Sequence, residues 1–265
     1  GGRNPELPAG YSFDYINADT IEHRMKVRDG KLTLPPGMSY RLLVLPDLPV
    51  MRPEVLRRIR ELVAEGGAVL GPPPSASPSL QGYPACDEQV RAMAAEMWAD
   101  CDGRKVTQVR HRQGFVFRGV DVKSALATLG VSADVEGLDH KRFPWLHRTS
   151  PEGEVYFISH QGDQAATMTP SFRVTELRPE LWDAVTGERR LLTDYRFEDG
   201  RTVVPLEFAP RQAMFIVFRE KADAPTETSR NFLPPTVVSE LTGSWTVEFD
   251  PRWGGPQSVV FNTLE

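Results

Sequence analysis

Two periodicities divide this chain. Up to about residue 130, apolar residues gather into short runs and helical faces. Beyond about Phe143 they alternate with polar ones at a period of two. In the first part, residues 11–17 read as a short strand, with a helix starting near Asp19. Asp29-Gly30 separates Met25-Lys26-Val27-Arg28 from Lys31-Leu32-Thr33-Leu34, which is a hairpin signal. Residues 40–45 are a compact apolar run stopped by Pro46, which predicts a buried parallel strand. Pro53 opens a helix whose Val55, Leu56, Ile59, Leu62 and Val63 share one face. Gly66-Gly67 ends it, and Ala68-Val69-Leu70 follows as a second buried strand, completing a βαβ unit with a right-handed crossover. Asp87 is expected to cap a helix carrying Val90, Met93, Ala94 and Met97. Residues 106–109 and 115–117 are further strand candidates, and 121–129 a short helix.

The second part reads as strands at 154–160, 172–177, 190–195, 202–208 and 213–219, joined by turns at Thr186-Gly187, Asp199-Gly200 and Ala209-Pro210. A polar, Pro/Thr/Ser-rich linker follows, and Trp245, Val247 and Phe249 then open another β unit, with Val259 and Phe261 as its second strand. The expected fold class is therefore α/β plus β: a flavodoxin-like open parallel sheet over residues 1–142, then an antiparallel β domain over 143–220. A linker over 221–240 and the start of a β-sandwich over 241–265 complete the division.

At 265 residues the chain is long enough for one large or two ordinary domains. Its 23 prolines favour loops and β structure over long helices. A net charge of −5 gives no electrostatic reason to bind nucleic acid or an anionic membrane. The start, Gly1-Gly2-Arg3-Asn4-Pro5, has neither an initiator Met nor a basic-then-apolar signal pattern, so a mature or trimmed fragment is expected. Leu264-Glu265 fits a native end or a cloning remnant equally.

Few motifs carry chemistry. Gly66 and Gly71 have P-loop spacing, but Pro72 and Pro73 stand where Lys and Ser/Thr would hold phosphate and magnesium. A turn capping the sheet is the better reading. Cys86 and Cys101 make no disulfide scaffold and no Gly-x-Cys-x-Gly elbow; both read as free buried thiols. The five histidines, His23, His111, His140, His147 and His160, include no H-E-x-x-H and no zinc-finger spacing, so neither metal nor cofactor is expected. Asp14, Asp19 and Glu22 lie close together, yet read as turn, helix cap and solvated face rather than a glycosidase carboxylate pair.

Three segments carry a family resemblance: residues 147–160, which begin His147-Arg148 and include Tyr156-Phe157 and His160; residues 179–187, which include Trp182-Asp183 and Thr186-Gly187; and residues 243–256, which include Trp245 and Trp253. In this order they resemble the region behind the catalytic barrel in glycoside hydrolases of the α-L-rhamnosidase type, family 106 and its relatives. The βαβ run also resembles the class I glutamine-amidotransferase-like fold that some sugar hydrolases carry after the barrel, here without the catalytic Cys. The resemblance implies catalytic carboxylates in a barrel upstream of Gly1, and no catalytic residue in this chain. It marks His147, Arg148, Tyr156, His160 and Trp182 as candidate sugar contacts, with Asn more usual in the family where His160 stands.

The first reading is thus a bacterial, non-catalytic segment that braces the barrel and lines part of the sugar cleft. Its partners are carbohydrate through the parent enzyme and the barrel itself, with self-association through the C-terminal strands. A soluble parent in the periplasm or outside the cell fits. One rival is a free-standing carbohydrate-binding module with an exposed aromatic platform. Another is a small hydrolase or esterase using Ser75 or Ser77 with a histidine, which the absent Gly-x-Ser-x-Gly elbow disfavours.

Overall fold

The computed structural model of the protein describes residues 7–225, 229–234 and 236–263. Parts of the expected linker, at 226–228 and 235, lie outside the described residues, as do both termini. The chain forms two compact units, Gly1–Asn231 and Phe232–Glu265.

The first unit is irregular at residues 11–17, where the sequence predicts a strand. Asn17 then caps α1 (Ala18–His23), its side-chain oxygen accepting from the Thr20 amide at 2.9 Å. β1 (Lys26–Arg28) and β2 (Lys31–Thr33) form the expected hairpin, with Asp29 and Gly30 at φ 50° and 68°, the left-handed pair that a two-residue turn demands. β3 (Ser39–Tyr40) completes that three-stranded sheet. The apolar run at 40–45 therefore splits, and its second half, β4 (Leu43–Val44), belongs to another sheet. α2 (Pro53–Ala64), β5 (Ala68–Leu70), α3 (Ala85–Trp98), β6 (Gln108–His111), β7 (Gly114–Phe117) and α4 (Val122–Thr128) follow. The sheet order is β4-β5-β7-β6, with β4, β5 and β7 parallel. β6 runs antiparallel to β7 because only Arg112 and Gln113 join them, and two residues admit no crossover. In place of a wholly parallel open sheet there is thus a small mixed one.

Alternation within β5 decides which helices cover it. Val69 joins Leu56, Ile59, Leu62, Val90 and Met97 of α2 and α3 on one face. Ala68 and Leu70 join Phe117 of β7 and Ala125 and Leu126 of α4 on the other. α3 starts before its expected cap: Pro84 is the N-cap, and Asp87 instead accepts from the Ser77 amide at 2.8 Å. The turn after β5 is tied down by the Trp98 indole, which donates to the Gly71 carbonyl at 2.9 Å. Cys86 and Cys101 are buried and unbridged.

From β8 (Val135–Glu136) onward the unit is antiparallel β. β9 (Trp145–Ser150), β10 (Gly153–Ser159), β11 (Ala166–Met168), β12 (Ser171–Phe172), β13 (Leu177–Asp183) and β14 (Arg189–Leu191) come first. β15 (Arg196–Glu198), β16 (Arg201–Val203), β17 (Leu206–Phe208) and β18 (Ala213–Lys221) complete it. A five-stranded sheet, β14-β13-β18-β10-β9, lies against β15-β16-β12-β8 and β11-β17. The layers meet through aromatic rings: Phe172 touches Tyr156 and Phe218 at 4.8 and 5.4 Å between centroids, and Phe143 touches Phe208 at 5.5 Å. Asn231, within the expected linker, is buried, exchanging hydrogen bonds with Asp194 and donating to the Pro205 carbonyl.

The second unit is a hairpin of β19 (Trp245–Glu248) and β20 (Ser258–Phe261), in register at Trp245 with Phe261 and Val247 with Val259. A single 3-10 turn, Pro251–Trp253, lies between them. No helix among the described residues is long and apolar enough to cross a membrane.

Candidate functional site

The hairpin register through Ser150 and Gly153 sets Tyr156 opposite His147 and Glu154 opposite Thr149. Cross-strand partners share a face, and so do residues two apart on one strand, so all four side chains lie on the inner face of the five-stranded sheet. His147 stacks flat on Tyr156, with centroids 4.0 Å apart and planes 5° apart. Its Nε2 is 2.7 Å from Glu154 Oε2, which also accepts from the Thr149 hydroxyl at 2.6 Å. Its Nδ1 lies 3.6 Å from Asp134 Oδ2. Asp134 in turn holds Arg173 through both the guanidinium Nε, at 3.0 Å, and Nη2. Among these groups His147 keeps 12% side-chain exposure and Asp134 16%, while Arg173 is half-open at 47%.

Burial on its own would raise the Asp134 pKa. Hydrogen bonding and charge from His147 and Arg173 outweigh it, and the carboxyl sits below its usual range. The Tyr156 hydroxyl is pushed well up by burial, with the Asp134 charge adding to it, and it donates to the Asp134 carbonyl at 3.4 Å. Arg201 completes the surround, donating to the carbonyls of Ala133 and Ser171 at 2.8 Å each. The result is an acid–imidazole–acid cluster, with Asp134 favoured as the carboxylate and a fixed ring beneath it. It can hold charge and donate or accept hydrogen bonds. Among the described residues it offers no set of side chains suited to a metal ion.

Of the other sequence candidates, Arg148 points to the opposite, outer face of β9, where it is exposed and donates to the His147 carbonyl at 3.0 Å. Trp182 also lies on the outer face, in a row Leu146–Phe157–Phe215–Trp182–Arg189 that crosses all five strands. The Arg189 guanidinium sits over its ring at 4.0 Å, and its indole donates to Glu180 at 2.9 Å. Glu180 is buried and takes Arg219 at 2.9 and 3.0 Å; burial works to raise its pKa, but Arg219 and Trp182 hold it below the usual range. His160 stands apart, fully buried beyond the end of β10. It stacks on Phe143 at 4.7 Å, with Nδ1 at 3.0 Å from the Ala209 carbonyl and Arg142 donating to Nε2 at 3.3 Å. The structure therefore joins His147 with Tyr156, and sets Arg148, Trp182 and His160 in three other places.

Sequence reasoning passed over Glu154, Asp134 and Arg173. Glu154 was within reach: counting outward from the Ser150–Gly153 turn puts it on the Tyr156 face. Asp134 and Arg173 carry no local signal, since each reaches the hairpin through tertiary packing.

Comparison with known proteins sharpens this picture. A family model described as glycoside hydrolase family 106, α-L-rhamnosidase, matches residues 1–197. A Formosa agariphila protein named "Putative beta-glucuronidase" is 29% identical over 217 residues, covering 81% of this chain and 18% of its own. The solved structure of a rhamnosidase from Novosphingobium sp. PP1Y superposes with a TM-score of 0.87 at 30% identity, covering 99% of this chain and 25% of that one. The chain thus spans about a quarter or less of the length of these relatives.

Proposed function

Because the chain belongs to the α-L-rhamnosidase family of glycoside hydrolases, we propose that it is the non-catalytic accessory segment of such an enzyme, bracing an upstream catalytic barrel and lining part of its sugar cleft. The observation that carries this reading is the placement of its ionisable groups. Asp134 and Glu154 are both engaged with one imidazole, and Glu180 is closed off by Arg219 and Trp182. A glycosidase needs two carboxylates facing each other across an open bond-cleavage site, and these three are committed to holding the fold. Arg148, with its open guanidinium, and Trp182 are the residues we assign to the cleft wall. Tyr156 and His160, both buried, act by fixing the hairpin that carries Arg148. The mixed sheet serves as a reduced amidotransferase-like scaffold. The parent acts outside the cytoplasm on carbohydrate, and the 143–220 β domain, the 221–240 linker and the sandwich begun at 241 divide the rest. Self-association through β19 and β20 belongs to this same reading. A second reading, a free-standing carbohydrate-binding module, draws on Trp253, which is 87% exposed.

The test is to express the coding sequence upstream of Gly1 together with this segment. The longer protein should hydrolyse aryl α-L-rhamnosides, and should lose cooperative melting when this segment is removed. Full activity and an unchanged melt without the segment would refute the bracing role.

A further inference from the structure

The irregular stretch at residues 11–17 is an exposed loop that is nevertheless pinned at three points. Its start is clamped to the strand region: the Asp134 amide donates to the Gly10 carbonyl at 2.7 Å, and a Cβ on Gly10 would lie 2.3 Å from the Val135 carbonyl oxygen. At φ 83°, only glycine allows that approach without strain. In the middle, the Tyr40 hydroxyl donates to Asp14 Oδ2 at 2.6 Å. Its end is the Asn17 cap of α1. Between these anchors the rings of Phe13 and Tyr15 stand in solvent, 41% and 77% exposed, meeting edge to face at 5.7 Å. Arg148 stands near enough to pull down the Tyr40 pKa, although burial and the Asp14 contact dominate and push it up to about 12.

A solvent-facing tyrosine on an anchored backbone, beside an aimed carboxylate and an exposed guanidinium, makes a combination that suits carbohydrate. An aromatic face takes the C–H face of a sugar ring, and Tyr adds little conformational entropy cost on binding. A carboxylate accepts from two neighbouring hydroxyls, and Arg donates to ring or glycosidic oxygens. Tyr40 occupies one lobe of the Asp14 carboxylate and so fixes its direction before any ligand arrives.

We propose that the Phe13-Asp14-Tyr15 loop, with Tyr40 and Arg148 beside it, is a binding site for one pyranose ring. Tyr15 stacks on the ring, Asp14 accepts from vicinal hydroxyls and Arg148 donates to the ring's oxygens. Tyr40 is a positioning residue. The inference rests on the reading of this chain as part of the sugar cleft, and it adds a loop on the α/β side to the Arg148 hairpin.

The test uses the whole 265-residue chain and methyl α-L-rhamnopyranoside as probe, followed by amide chemical-shift changes in a titration. Binding in the millimolar range should shift residues 11–17, 40 and 148. Tyr15→Ala and Asp14→Asn should each weaken it by about tenfold, which is about 1.4 kcal/mol. Tyr83→Ala, an exposed tyrosine elsewhere, should leave it unchanged. Unaltered melting curves will show that Tyr15→Ala still folds. Shifts confined to other residues, or wild-type affinity in Tyr15→Ala and Asp14→Asn, would overturn the site while leaving the accessory reading intact. No binding at about 50 mM, a concentration well above a millimolar Kd, would overturn the site outright. Hydrolysis of the probe would instead refute the accessory reading, whether or not the loop binds.

Discussion

His111 and His147 both sit on edge strands, one in the mixed sheet and one in the antiparallel layer, and the two halves of the first unit treat them differently. His111, on β6, is 9% exposed, and its Nε2 has no hydrogen-bond partner; burial holds its pKa down. His147, on β9, lies between two carboxylates on a tyrosine ring. The mixed-sheet half is held by aliphatic packing and tolerates an unpaired imidazole at its edge. The β half builds charge into its interior and pairs it, although the Arg178 Nε of β13 is buried without a hydrogen-bond partner.

If that contrast is right, the largest loss should come from thinning the aliphatic core. Leu56→Ala, at a fully buried position on α2, should cost about 2–5 kcal/mol, read as a lower urea midpoint. A cost near zero would mean the mixed sheet does not depend on that packing.

Next comes the charged cluster. Asp134→Asn should cost about 1.5–3 kcal/mol at pH 7, the range for hydrogen bonds to charged groups. Because the folded carboxyl is depressed below its ordinary value of 3.8, its contribution is present above that pH and fades as pH falls through the folded pKa. The gap between wild type and variant should therefore narrow as pH falls below 3.8. A constant gap between them would show that Asp134 acts through packing alone.

A smaller effect of a different kind is expected at His111. With its folded pKa below the ordinary 6.5, the unfolded chain takes the proton first. Stability should thus fall as pH drops below about 6.5, down to the folded pKa, where the loss levels off. His111→Leu should remove that share of the loss between pH 7 and 5 and be at least as stable as wild type. If acid sensitivity in this window persists in the variant, another group carries it. Least visible will be Cys101, whose thiol is pushed up by burial. It should react with a thiol reagent slowly in the native protein and fast in urea, and rapid native labelling would show the α3 end to be open.

How much of this was legible follows from the range of each interaction. The Asp29-Gly30 hairpin and α2 with its Pro53 start rest on contacts within a few residues, and local pattern names them correctly; β10 is also named correctly, through its alternation, although it pairs with the distant β18. The Thr186-Gly187 turn is equally local: Asp183 accepts from the Val185 and Thr186 amides at 2.8 Å each. Residues 11–17 alternate like a strand but have no strand partner among the described residues, and their anchors are Asp134 and Tyr40, far along the chain. The run at 40–45 reads as one element, yet its halves pair with β2 and β5. The family markers found the His147–Tyr156 hairpin. They did not find Asp134 and Arg173, which meet it only after the sheets have packed.

In the proposed function this chain supports sugar hydrolysis without performing it. The most direct measurement is an aryl α-L-rhamnoside assay on the isolated chain, shown to be folded by a cooperative melt. Release should be no faster than a buffer blank. Turnover well above that blank, abolished in a carboxylate variant such as Asp14→Asn, would contradict it.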